Sequence, residues 1–378
     1  MAGRLNDEPQ EDGKRSRVPF RRNRGPRRRR TDVTREARDS EDYELDERRS
    51  ESVAAKGDLS RQRTVVDKDP ASLRRGVVIA MRGLYVDVDD GDRIWACTVR
   101  RILRTRLIAE RGPVTVGDNV RFHTERPAEG VVSDGVVEAV EPRRGVLQRK
   151  VGKRIHTMVA NVDQAVIVSS AAEPQPKPHL LDRYAVACHA GGITPIICMN
   201  KIDLDADGAA ASLLTLYDEL GYATVQAAAT EGVGIDELRS ILKDKATVVA
   251  GQSGVGKSSL LNAVQPGLGL RVAHVGKQTQ KGRHTTTTAT LIRLDFGGHV
   301  VDTPGVRAFD ATLIPRHELE AHFIEFVPFV AGCKFPDCTH IHETGCQVLA
   351  ALDRGDLHPQ RYDSYFQMFH EAATQSGA

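Results

Sequence analysis

Eight residues constrain this chain more than any others. Between the apolar run Thr247–Ala250 and the helix-patterned run Ser259–Val264 stands Gly251-Gln252-Ser253-Gly254-Val255-Gly256-Lys257-Ser258. Glycines at these places let the backbone wrap so that its N–H groups face one centre. The N-terminus of the following helix adds the positive end of its dipole. Such a concavity suits phosphate oxygens. Lys257 can reach the terminal phosphates and the Ser258 hydroxyl can bind Mg²⁺. The run from Gly251 through Ser259 is therefore the expected phosphate-binding segment. A chance glycine-rich turn would need neither the strand before it nor the helix after it.

Two further motifs narrow the ligand. Asp302-Thr-Pro-Gly305 begins 45 residues after Lys257 and follows Leu291–Phe296, a Gly297-Gly298 turn and His299–Val301. That hairpin delivers Asp302 towards the metal, and the Gly305 N–H could sense a terminal phosphate. Upstream, the apolar strand Ile193–Met199 ends in Asn200-Lys201-Ile202-Asp203. A carboxylate at Asp203 can accept two hydrogen bonds from guanine N1–H and its exocyclic amine. Adenine lacks that donor pair and would leave the carboxylate poorly satisfied. The aliphatic stem of Lys201 can cover the base. Gly232 and Gly234 match the glycines of a third loop known from GTPases, which puts Ala228-Ala229 where Ser-Ala is usual. The Ala229 N–H is the expected contact to the guanine oxygen. Small GTPases carry these elements in the order phosphate loop, switches, guanine motif. Here the guanine motif comes first and Asp302 last, as in a circularly permuted GTPase; joined old ends are tolerated because domain termini lie close together at the surface.

The rest of the chain reads differently. Its 378 residues suggest two or three domains, and 40% hydrophobic content excludes a wholly disordered chain. No run of about 18 apolar residues occurs, which argues against a membrane-spanning helix. The polar start, Met1–Gln10, does not resemble a secretory signal, so a soluble cytoplasmic protein is expected. The net charge of +2 hides segregation: Lys14–Arg30 holds ten basic residues and no acidic one. Residues 1–72 are expected to be a disordered basic, mixed-charge arm, either a solvated tail or a phosphate-backbone contact. From 73 to 148, short β-branched runs (Gly76–Met81, Leu84–Val88, Arg93–Val99, Asn119–His123, Val131–Val140) with the turn Asp89–Asp92 suit a small barrel of the oligonucleotide-binding type. Arg82, Arg93, Arg100, Arg101, Arg104, Arg106, Arg121, Arg143 and Arg144 suggest a face that tracks RNA.

Near the end, Cys333, Cys338, His340 and Cys346 form C-x4-C-x-H-x5-C within 14 residues. Three thiolates and an imidazole suit a closed, tetrahedral structural zinc site. Cys97, Cys188 and Cys198 sit in apolar runs and read as core residues. The final helix, about Pro359–Ala373, gathers Tyr362, Tyr365, Phe366 and Phe369 on one stripe, expected to pack on the zinc module.

Asn161-Val-Asp163, Leu181-Asp-Arg183-Tyr184, Asn200–Asp203, Gly251–Asn262, Gly282-Arg-His284-Thr-Thr-Thr287, Asp302–Gly305 and the terminal Cys/His cluster together resemble the ribosome small-subunit-dependent GTPase A family, over about residues 75 to 370. The resemblance implies an α/β multidomain protein: a barrel at 73–148, a permuted phosphate-loop GTPase domain at 149–322 and a helical zinc module at 323–378. It implies a monomeric GTPase that hydrolyses GTP to GDP, is stimulated by the small ribosomal subunit and its rRNA, and acts late in that subunit's maturation. It also assigns His284 to positioning the attacking water, since Val306 stands where many GTPases carry glutamine. Thr286 is the threonine expected on Mg²⁺, beside Ser258 and Asp302. Two other classes stay open on the residues alone. One is a GTP-gated RNA-binding switch without assembly work. The other is a phosphoryl-transfer kinase, against which Asn200–Asp203 counts.

Overall fold

The computed structural model describes residues 15–19, 62–66, 72–100, 103, 114–124, 134–151, 154–270, 289–302 and 314–376. Two compact units divide the chain, Met1–Leu73 and Arg74–Ala378. In the first, β1 (Arg15–Pro19) pairs antiparallel with β2 (Gln62–Val66). The remainder of the expected arm, including Arg27–Arg30, lies outside the described residues.

The second unit opens with five strands: β3 (Arg74–Arg82), β4 (Tyr85–Asp89), β5 (Ile94–Val99), β6 (Asn119–Thr124) and β7 (Gly135–Val140). They hydrogen-bond in the order β3-β4-β5-β7-β6, and β6 returns to β3, so the sheet closes into a barrel. Val78, Val86, Val88, Cys97, Val120, Phe122 and Val137 fill it. Closure gives β3 a partner on each side, β4 on one and β6 on the other. In the Asp89–Asp92 turn, Asp90 accepts from the N–H groups of Asp92 and Arg93 and from Trp95 Nε1 at 2.8 Å. These bonds, the one from Arg93 foremost, hold its carboxyl below the usual range. The Arg93 guanidinium stacks 3.3 Å from the Trp95 ring centroid.

Four of the arginines expected on the cationic face sit in ion pairs, and Arg101, Arg104 and Arg106 lie outside the described residues. Arg82 pairs with Asp87, Arg100 with Glu138, Arg121 with Glu141 and Arg143 with the buried Asp118. Sequence clustering counted the arginines but not the carboxylates that strand pairing brings beside them.

A hairpin, β8 (Leu147–Val151) with β9 (Arg154–Val159), leads out of the barrel. The expected boundary between residues 148 and 149 falls inside β8. Six strands then follow, β10 (Gln164–Ser170), β11 (Thr194–Asn200), β12 (Ala223–Gln226), β13 (Ala246–Ala250), β14 (Thr290–Arg293) and β15 (His299–Asp302). Their order is β12-β11-β10-β13-β15-β14, all parallel except β14. Both faces are covered, so β10 is buried along its whole length, with the apolar run Ala165–Val168 at its centre. Ala165 and Ile167 face α1 (Pro178–Ala190) and α2 (Ala209–Glu219). Val166 and Val168 face α3 (Ile235–Leu242) and α4 (Lys257–Val264). Counted from the phosphate-loop strand β13, the order is that of a GTPase sheet cut between its third and fourth strands. The sheet also continues into the barrel: β14 pairs antiparallel with β3 at Thr290 and Ala80.

Beyond Ile314 lies a second, helical core. A 3₁₀ segment Arg316–His322, one helical turn Val327–Val330, α5 (Gln347–Arg354) and α6 (Pro359–Ser376) enclose Phe323, Phe326, Val348, Tyr365, Met368 and Phe369. Of the expected aromatic stripe, Tyr365 and Phe369 are buried, while Phe366 is 40% exposed and packs edge-on to His370.

This module docks on α1 through charges. Arg361 is buried and donates to Asp182 of α1, to Glu325 Oε1 at 2.6 Å and to Glu325 Oε2 at 3.0 Å. Tyr217 Oη donates to the same Asp182 at 2.6 Å, and Arg183 pairs with Glu371. The Leu181–Tyr184 motif is thus a docking element. Asn161-Val-Asp163 ties the barrel exit to the sheet: Asn161 Nδ2 donates to Gly117 O at 2.8 Å, and Asp163 Oδ2 accepts from Ala246 N at 2.8 Å.

Candidate functional site

The phosphate loop leaves β13 at Gly251 and enters α4 at Lys257. Two glycines are required by close approach. At Gly251 (φ +140°) a Cβ would stand 2.2 Å from Val168 O, and at Gly256 (φ +91°) 2.3 Å from Asn200 Nδ2. Lys257 Nζ bridges the carbonyls of Gly251 at 2.8 Å and Gln252 at 2.7 Å, which lays its stem along the loop. Ser258 and Ser259 follow in the first turn of α4, half-buried. The loop offers a helix N-terminus and, beside it, the Lys257 ammonium, which together suit a polyphosphate.

The guanine motif is brought against this loop. Asn200, 1% exposed at the end of β11, donates from Nδ2 to Val255 O at 2.8 Å and accepts at Oδ1 from Ala229 N at 3.3 Å. One buried amide thus joins three loops separated in sequence. Lys201 takes a left-handed backbone (φ 59°), which disfavours an L side chain by about 1–2 kcal/mol. Its ammonium offsets this by donating to Glu173 O at 2.6 Å and Gly254 O at 3.0 Å. Beyond it, Ile202–Leu204 form a 3₁₀ turn with Asp203 exposed, available to a pair of donors. The Ala228–Ala229 loop, lacking the usual serine, is closed by a bridge between Ala228 and Val233. Asp302 is the last residue of β15, the strand beside β13. His284, Thr286 and Gly305 lie outside the described residues.

In the helical module, Cys333, Cys338, His340 and Cys346 bring their ligand atoms within 4.8 Å of one another. A tetrahedron with Zn–S bonds of about 2.3 Å and a Zn–N bond of about 2.0 Å has S···S edges of about 3.8 Å and S···N edges of about 3.5 Å. The site shows Cys333 Sγ to Cys346 Sγ at 4.0 Å, Cys333 Sγ to His340 Nδ1 at 3.6 Å and His340 Nδ1 to Cys346 Sγ at 3.3 Å. These residues fit a structural zinc ion. Burial pushes the Cys338 thiol up to about 12 and raises that of Cys346, as expected where thiols crowd without a counter-charge. Backbone N–H groups of Gln347 and Leu349 point at Cys333 Sγ and Cys346 Sγ, both at 3.4 Å, and can stabilise thiolates. Glu343 fastens the loop by accepting from the N–H groups of Thr339, Ile341 and His342. His342, which could have competed as a ligand, is exposed. Cys97, Cys188 and Cys198 are core residues, fully buried, with thiols pushed up by burial.

Sequence reasoning missed the docking charges and Glu320, whose Oε2 lies 2.5 Å from His340 Nε2. One signal was present: Asp182 interrupts the apolar stripe Leu181, Tyr184, Ala185, Cys188, and a carboxylate there has to be paired.

A permuted parallel sheet, a glycine-wrapped phosphate loop and a guanine motif pinned to that loop define a circularly permuted GTPase. Comparison with known proteins agrees. The family model described as RsgA GTPase matches residues 140–312. The small ribosomal subunit biogenesis GTPase RsgA of Azotobacter vinelandii is 39% identical over 326 residues, 84% of this chain and 92% of that protein. Its counterpart from Pseudomonas aeruginosa is 38% identical over 327 residues, again 84% and 92%. The crystal structure of YjeQ from Thermotoga maritima superposes with a TM-score of 0.64 at 35% identity, over 80% of this chain and 99% of that one. YloQ, described as a circularly permuted GTPase, gives a TM-score of 0.61 at 31% identity, over 80% and 96%. The chain belongs to the RsgA GTPase family.

Proposed function

We propose that this enzyme binds the small ribosomal subunit and hydrolyses GTP to GDP and phosphate late in that subunit's maturation, with the subunit stimulating the reaction. The observation that carries the nucleotide reading is the Asn200 amide, which fixes base-recognition and phosphate loops in one geometry. The ribosomal part rests on relatives that are named for small-subunit biogenesis. In this reading Gly251 to Ser259 and Gly305 hold the phosphates, and Asn200, Lys201, Ile202, Asp203 and Ala229 hold guanine. Ser258, Thr286 and Asp302 bind Mg²⁺, which spreads the charge developing on the phosphoryl oxygens. His284, as a neutral imidazole, orients the attacking water in line with the γ-phosphate. Zinc at Cys333, Cys338, His340 and Cys346 is structural. The protein works as a cytoplasmic monomer; among the described residues no helix is long and apolar enough to cross a membrane.

Single-turnover hydrolysis of GTP with and without small subunits tests this reading. A rate indifferent to subunits would overturn stimulation and favour a GTP-gated RNA-binding switch. His284→Ala that binds GTP normally yet keeps the full stimulated rate would remove His284 from the mechanism.

A further inference from the structure

The imidazole of His340 has both nitrogens committed. Nδ1 faces the sulphurs of Cys333 and Cys346 at 3.6 and 3.3 Å, and Nε2 faces Glu320 Oε2 at 2.5 Å. The His340 side chain is 1% exposed, so the carboxylate rather than bulk water is what Nε2 meets. A nitrogen that binds a metal must present a lone pair, which leaves the ring proton on Nε2 and makes that nitrogen the donor to Glu320. The ring is also clamped from the sides. Phe326 and Tyr365 pack at 6.3 Å between centroids, and Tyr362 Oη donates to His340 O at 2.8 Å. His340 itself has a left-handed backbone, φ +58°. Each of these restraints acts on where Nδ1 points, and only the Glu320 bond also selects the tautomer.

From this we infer that Glu320 is a positioning residue of the metal centre: it fixes the tautomer and orientation of His340 and thereby sets zinc affinity. This rests on the zinc reading of the four ligands. Glu320 comes from the 3₁₀ segment Arg316–His322, which follows β15 and its Asp302 in the chain, whereas the four ligands come from the loop beyond Val330. The bond therefore fastens the segment downstream of the nucleotide site to the metal loop. A histidine ligand whose second nitrogen is held by a carboxylate typically loses 10–100-fold in metal affinity when that carboxylate is removed, roughly the size expected here.

The test uses the full chain and zinc alone. Zinc affinity is measured by chelator competition for the native protein, Glu320→Ala and Glu320→Gln, and the absorption bands of the Co²⁺-substituted forms are compared. Glutamine keeps an acceptor for Nε2–H. The expected result is about 10–100-fold weaker zinc binding with altered Co²⁺ bands for Glu320→Ala, and near-native values on both measures for Glu320→Gln. Glu320→Ala within threefold of native, or both variants weakened alike, would overturn the inference. A native protein that binds no zinc would instead refute the zinc reading.

Discussion

Replacing Gly256 by alanine should weaken GTP binding between about 30- and 300-fold. The added Cβ would stand 2.3 Å from Asn200 Nδ2, with backbone at φ +91°. The loop can relieve that contact only by moving the buried Asn200 amide, which gives up its bonds to Val255 and Ala229. Each bond contributes about 0.5–1.5 kcal/mol, and the left-handed alanine costs about 1–2 kcal/mol. If the relaxed loop must be restored when nucleotide binds, the lower half of these ranges amounts to about 2–3.5 kcal/mol, at tenfold per 1.4 kcal/mol. Titration of a fluorescent GDP analogue reads the change, with circular dichroism confirming an intact fold. Adding Gly256→Ala to Asn200→Ala removes the clash partner and should cost only the backbone strain, about 5- to 30-fold. Affinity of the single variant within threefold of native would refute the argument, and so would a penalty as large in the Asn200→Ala background.

Arg361→Met leaves two buried carboxylates, Asp182 and Glu325, without the counter-charge they share and should destabilise the protein by about 3–5 kcal/mol. Denaturant unfolding measures this, and adding Asp182→Asn with Glu325→Gln should restore much of the loss. Metal removal should let the loop that holds Cys333, Cys338 and Cys346 open, so that a thiol reagent labels these three while Cys97, Cys188 and Cys198 stay protected until global unfolding. Burial holds the pKa values of His189 and His322 below the ordinary range. A histidine depressed in the folded state contributes full stability above its unfolded value, about 6.5, and loses it as pH falls below that. The melting temperature should therefore drop between pH 7.5 and 5.5, and less so in His189→Asn.

The sequence exposed what chemistry requires locally. A phosphate loop needs its strand, glycines and helix in immediate succession, so Thr247–Val264 could be read outright. Zinc ligands likewise fall within one short loop. Long-range pairings were hidden. Arg361 and Asp182 are 179 residues apart, and neither identifies the other without the fold. Asn200 looked like a base contact; its role as a strut became visible only when β11 and β13 were brought to opposite sides of β10. The carboxylate partners of the barrel arginines were hidden for the same reason, because they arrive through strand register.

The junction between β14 and β3 bears on how the edge of the GTPase sheet is kept from other chains. Strand β14 is the last of the GTPase sheet, and such an edge offers unpaired backbone groups to any passing strand. Here the barrel caps it at Thr290 through Ala80, and Arg293 reaches Gly91 O at 3.4 Å. A GTPase domain expressed without residues 73–148 would bare that edge. It should self-associate in light scattering where the whole chain does not, and the barrel would then serve as guardian of the enzyme that follows it.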